Sequence, residues 1–113
     1  MLTHPTAHEI VDGVARWLAG DSPPSGFQLR VARNALEIAA RDMAQSPDAD
    51  ARAAARLRAL LGVDCDRDAL DRALVAALRD GRIAPDAPAL LAHLRATALD
   101  TLAIDQPKYA HEL

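Results

Sequence analysis

The sequence predicts an all-α fold, a single small bundle of four to five helices, and three observations carry that prediction. Ala, Leu and Arg, which favour helix, are abundant, whereas the β-branched and aromatic runs expected of strands are missing. Trp17, Phe27 and Tyr109 are the sole Trp, Phe and Tyr residues, so the core has to be assembled mainly from Leu, Ala, Val and Ile. Apolar residues recur at three- and four-residue spacing between cap signals, most clearly over residues 26–45. At 113 residues the chain reads as one domain, 1–113, large enough to fold without a disulfide or metal staple.

The elements follow in order. Thr6 and Glu9 form a capping box that opens a first helix with Ile10, Val11, Val14, Trp17 and Leu18 as its buried stripe. Gly20 is placed to turn left-handed and stop it, and Pro23 and Pro24 make the next segment a rigid loop. The central helix spans 26–45. At about 100° per residue, Phe27, Leu29, Val31, Leu36, Ile38, Ala39 and Met43 fill more than half of its circumference. Arg30, Arg33, Asn34, Glu37 and Arg41 occupy the rest.

Ser46, Pro47 and Asp48 read as a fresh start, with a Ser cap and Pro at the first helical position. The third helix then turns Ala53, Ala54, Leu57, Leu60 and Leu61 inward and Arg52, Arg56 and Arg58 elsewhere, and ends at Gly62. The acidic stretch 64–68 opens a fourth helix, in which Leu70, Ala73, Leu74, Ala77 and Leu78 repeat until Gly81. Asp86 and Pro88 supply the cap and early proline of a fifth helix, which runs to about Ile104 before Pro107 forbids continuation. Residues 108–113 read as an extended but ordered tail, with Leu102 packed inward and Tyr109 turned back onto the bundle.

A formal charge of -3 and the absence of any dense Lys/Arg cluster give no electrostatic footprint for nucleic acid. No apolar stretch reaches the roughly 20 residues of a membrane span, since 90–104 is broken by His93, Arg95 and Asp100. A single cysteine, Cys65, makes no intramolecular disulfide, and the N-terminal residues lack a basic region followed by an apolar run, so the expected compartment is the cytoplasm.

Neither metal nor cofactor is expected. His4 and His8 are four apart, but Pro5 and the Thr6 cap put His4 outside the helix. Asp64, Asp66 and Asp68 alternate as in a calcium loop, yet Ala69 stands where glycine is required and Val75 where glutamate is. Cys65 has no neighbouring base in the sequence.

Two polar sets stand out. His93, Thr97 and Asp100 follow i, i+4, i+7 spacing and read as a proton-transfer or phosphate-contacting set or, more blandly, a solvated stripe, and Ile104 falls in their sector. Arg30, Asn34 and Arg41 share a face suited to an anionic ligand or a partner's carboxylates, whereas Arg33 is placed to pair with Glu37 within the helix. No nucleophile, base and oxyanion donor assemble from these signals, so no catalytic residue is assigned.

The segments FQLRVARNAL at 27–36, LLG at 60–62 and especially LLAHLRATALDTLAIDQPKYA at 90–110 resemble a bacterial family of small helical proteins of unknown function. The resemblance implies genes encoded beside aminoglycoside-phosphotransferase-like kinases and acyl-CoA dehydrogenases, and the role of small accessory subunit of a kinase that phosphorylates hydroxyacyl-CoA thioesters in acid catabolism. The matching residues are Arg30, Asn34 and Arg41 in the central helix and Arg95, Thr97, Asp100, Asp105, Pro107 and Tyr109 near the end. The chain departs from the family at Thr101 and Gln106, where lysine and asparagine are frequent. The expectation is therefore a non-catalytic subunit whose partner is kinase-like. The alternatives are a stand-alone enzyme or anion-binding protein, using the Arg30/Asn34/Arg41 face or the His93/Asp100 face, and a homo-oligomeric helical protein with no ligand.

Overall fold

The computed structural model describes residues 1–110, which fold into four α-helices and one short 3₁₀ turn with no strand among them. The helices are α1 (Ala7–Leu18), α2 (Gly26–Leu61), α3 (Arg67–Arg79) and α4 (Pro88–Asp105), followed by the 3₁₀ turn Pro107–Tyr109. That turn replaces the extended tail expected from residue 108, and residues 111–113 of the expected tail lie outside the described residues.

Local chemistry accounts for most helix ends. The Glu9 amide donates to Thr6 Oγ1 at 3.2 Å while the Thr6 amide donates to Glu9 Oε1 at 3.3 Å, completing the expected box. These donors hold the Glu9 carboxyl below its ordinary pKa. A second box, unread in the sequence, opens α2: the Gln28 amide donates to Ser25 Oγ and the Ser25 amide to Gln28 Oε1. Asp66 caps α3 by accepting from the Ala69 amide at 2.8 Å. The expected Asp86 cap of α4 does not form; Ala87 holds the cap position without a side-chain bond, and Pro88 at the first turn removes one donor that would need a partner.

Gly62 and Gly81 carry φ of +68° and +75°, conformations that glycine adopts without Cβ strain. The Gly62 amide donates to the Arg58 carbonyl, and α3 ends with Arg82 N–H reaching the Ala77 carbonyl at 2.9 Å. Gly20 does not turn left-handed, contrary to its expected role; Ala19 ends α1 in right-handed geometry.

The largest departure lies in α2, which is one helix of 36 residues rather than two meeting at Ser46. A capping serine would accept from an amide ahead of it. Ser46 is instead buried, and its hydroxyl donates back to Asp42 Oδ1 at 2.6 Å. Asp42 also accepts from the Leu2 amide and the Met1 amino group, and these donors outweigh burial to hold its carboxyl below the ordinary range. Pro47 therefore sits inside the helix, where it gives no N–H to the Met43 carbonyl.

The chain forms two compact units, Met1–Ser46 and Pro47 onward. In the first, Ala7, Ala39 and Ser46 are buried, whereas Val11, Trp17, Leu18, Phe27, Leu29, Val31, Leu36 and Met43 remain exposed. Much of the stripe expected inside α1, and of the apolar arc of residues 26–45, thus faces solvent. The second unit has the larger core: Leu57 from α2, Leu70 and Leu74 from α3 and Leu90 from α4 pack together, with Ile83 and Cys65 against them. Burying each such leucine contributes roughly 1.5–3 kcal/mol. No helix among the described residues is long and apolar enough to cross a membrane.

Continuity of α2 makes a testable claim. Pro47→Ala restores a backbone donor inside a helix and raises unfolding stability by about 1–3 kcal/mol, read as a higher thermal midpoint by circular dichroism. A proline at the first turn of a separate helix gives a neutral or lower midpoint on the same substitution.

Candidate functional site

In the second unit, the polar residues of α4 meet arginines of α2. Spacing of four puts Arg52 and Arg56 on one face of α2, and spacing of four and three puts His93, Thr97 and Asp100 on one face of α4. Arg56 Nε donates to His93 Nδ1 at 3.0 Å and its terminal nitrogen to Thr97 Oγ1 at 3.2 Å. Arg52 pairs with Asp100 at 3.0 Å. The earlier arginine meets the later acceptor, so these two segments run antiparallel. Arg67 at the start of α3 adds a third tie, to Asp50 of α2 at 3.1 Å, and pairs with Asp71 in its own helix.

The expected stripe is therefore real, but it is not solvated. His93 is only 4% exposed, and Leu90 and Ile104 are buried on the same side of α4. Its pKa is lowered chiefly by burial, then by the Arg56 and Arg67 guanidiniums, with Asp71 opposing. The bond to Arg56 requires an unprotonated Nδ1, which fixes the neutral tautomer with hydrogen on Nε2. That lone pair is unavailable to a substrate proton, and the Thr97 hydroxyl accepts from a cation rather than giving its proton to a base. The cluster thus lacks an assembled nucleophile and base. Beside it, Arg56, Ala59, Leu60, Ala89, Ala92 and His93 line a groove that is mostly aliphatic.

The other predicted residues do not join this cluster. Arg30 and Asn34 are exposed on α2 in the first unit, and Arg41 is half-buried there with an interaction of its own. Arg33 pairs with Glu37 at 2.9 Å, as its spacing suggests. Arg95 is exposed and also engaged, and Asp105 is exposed. Tyr109 is exposed rather than packed onto the bundle, whereas Leu102 is half-buried. Thr101 donates its hydroxyl to the Thr97 carbonyl at 2.9 Å, so its side chain is bound to its own helix. His4 and His8 are exposed, and no group of three potential metal ligands occurs among the described residues.

Sequence reasoning missed Arg52 and Arg56. Their four-residue spacing matches that of His93 and Thr97, and this matched periodicity is the signal that could have paired them. It also missed two open apolar grooves between α1 and α2 in the first unit. Gly13, Val14, Trp17, Phe27, Val31 and Ala35 line one; Val14, Leu18, Leu29, Ala32, Leu36 and Ala40 line the other. Val14 and Ala32 border both grooves, so α1 lies along the middle of the α2 apolar arc and leaves each flank uncovered.

Fold and seam together define a small all-helical protein whose inward polar side chains satisfy one another. The chain belongs to the family described as Domain of unknown function (DUF6285), whose profile matches residues 21–109. Comparison with curated proteins and with solved structures gave no match.

The seam predicts a pH dependence with a definite sign. Because the folded-state pKa of His93 lies below its unfolded value of about 6.5, acid favours the unfolded chain, which takes up the proton the native state refuses. Stability is full above that value and is lost progressively over the range below it, as pH falls toward the lowered folded-state pKa. Urea midpoints across this range should fall less steeply in His93→Gln than in wild type; equal slopes would exclude His93 as the source.

Arg56→Ala strips donors from both His93 and Thr97 and should cost about 1–3 kcal/mol. Arg30→Ala, on the exposed face, should leave the melting midpoint within about 0.5 kcal/mol of wild type.

Proposed function

We propose that the protein is a non-catalytic accessory subunit of an aminoglycoside-phosphotransferase-like kinase that acts on hydroxyacyl-CoA thioesters. The partner and substrate class come from the family resemblance of the 27–36 and 90–110 segments. The observation that carries the binding role is the groove of about 320 Å³ in the first unit, where Trp17 and Phe27 stand open to solvent, the latter 68% exposed. Exposed aromatic side chains beside an alanine floor offer the kind of anchor that dominates protein interfaces. The closed seam argues in the same direction: His93 and Asp100 are already engaged by arginines, so neither is free to serve as a base. In this reading the enzyme's chemistry resides in the larger partner, and this chain contributes surface that stabilises it.

Co-expression with the neighbouring kinase-like protein tests the reading. The wild-type chain should co-purify with the tagged kinase and raise its phosphoryl transfer to a hydroxyacyl-CoA, while showing no transfer alone. Phe27→Ala should reduce recovery at least tenfold with helicity and melting midpoint unchanged. A kinase that is fully active alone and retains none of this chain would overturn the proposal.

A further inference from the structure

The second groove of the first unit has a different architecture. Along α2, Leu29, Leu36 and Met43 recur every seven residues, and along α1 Val11 and Leu18 do the same. All five side chains are between 39 and 60% exposed. Between the two rows lie Val14 and Ala32, smaller side chains that line the groove. The surface thus carries an exposed apolar row on each helix with smaller side chains between them.

We propose that this face binds a second copy of the chain, with the two α2 helices crossing antiparallel about a two-fold axis near Leu36. Three features favour a second copy over an unrelated partner. The seven-residue spacing on α2 lets a two-fold operation lay the exposed row of one copy antiparallel along the same row of the other. The operation sets Leu29 against Met43 of the second copy, large against large at the two ends, and Leu36 against its own equivalent. The rim is self-complementary in charge as well: Arg33 and Glu37 border this groove one turn apart, and the same axis brings each guanidinium beside the opposite carboxylate.

The area sets the class of interface. The fourteen helical steps from Leu29 to Met43 run about 21 Å, and two packed helices are about 20 Å across. The footprint is therefore on the order of 400 Å² per copy, below the roughly 800 Å² per partner of a standard interface. An interface of that size suits a reversible dimer rather than an obligate one. The inference does not rest on the kinase-subunit reading, which uses the opposite groove.

Sedimentation equilibrium of the full chain from 1 to 300 µM tests it directly. Wild type should pass from the single-chain mass of 12.1 kDa to twice that value, with a melting midpoint that rises with concentration. Leu36→Asp, which sets two carboxylates on the axis, should weaken the dimer at least tenfold, and Met43→Asp, at a more exposed position, should do the same with native helicity. Arg33→Glu should weaken it and Arg33→Glu/Glu37→Arg restore it, since the swap regenerates opposite signs only when the chain meets itself. Phe27→Ala should dimerise as wild type does. Single-chain mass over the whole range overturns the inference, as does a dimer indifferent to both aspartate variants or a closed assembly larger than two.

Discussion

A guanidinium and an imidazole meet 3.0 Å apart between α2 and α4, in a contact that exists in only one protonation state. Arg56 is a permanent donor, so His93 must present a bare Nδ1, and burial together with the cation beside it keeps that nitrogen bare. The bond then fixes the antiparallel register of α4 against the second half of α2, because Thr97 one turn later and Asp100 beyond it fall opposite Arg56 and Arg52. A register shift by one residue would part Arg56 from both of its acceptors and Arg52 from its carboxylate.

Apolar packing follows from that register. With His93, Thr97 and Ile104 turned toward α2, Leu90 points the same way and closes the cluster of Leu57, Leu70 and Leu74. Leu91 and Leu94 are left half-exposed on other sides of α4, a helix apolar in nearly every direction. Arg67 anchors the start of α3 through Asp50, so each of the three helical segments in this unit is tied to another by at least one arginine. The low aromatic content suits this arrangement: Ala53, Ala54 and Ala77 are buried and let backbones approach closely enough for leucines to interdigitate.

Local signals were legible where one turn of helix contains the whole interaction. Thr6 with Glu9, Asp66 with the Ala69 amide, and the glycines at 62 and 81 all act within a few residues, and the three-to-four spacing of Leu70 and Leu74 names the core side of α3 directly. Ser46 and Pro47 were misread because a serine before a proline looks alike at a helix start and inside one; only Asp42, already accepting from Leu2, draws the hydroxyl backward. Arg56 and His93 lie 37 residues apart, and nothing local specifies that their faces meet. The arc of residues 26–45 stays largely exposed because periodicity reports amphipathicity, not the number of helices present to cover it, and within the first unit α1 is the one other helix.

Pro47 has a consequence for how the molecule opens. The boundary between the compact units falls where the amide ladder of α2 lacks a rung, and the buried side chains are distributed unevenly about it. Leu57, Leu70, Leu90 and Ile104, the largest fully buried residues, all lie after the proline, whereas the segment before it buries little beyond alanines and one serine. Native-state hydrogen exchange on such a chain divides at this residue: amides of α1 and of α2 before Pro47 trade their protons through shallow excursions, and those of α3, α4 and the remainder of α2 only through deep ones. One continuous helix thereby belongs to two cooperative blocks, and a single unfolding free energy describes neither.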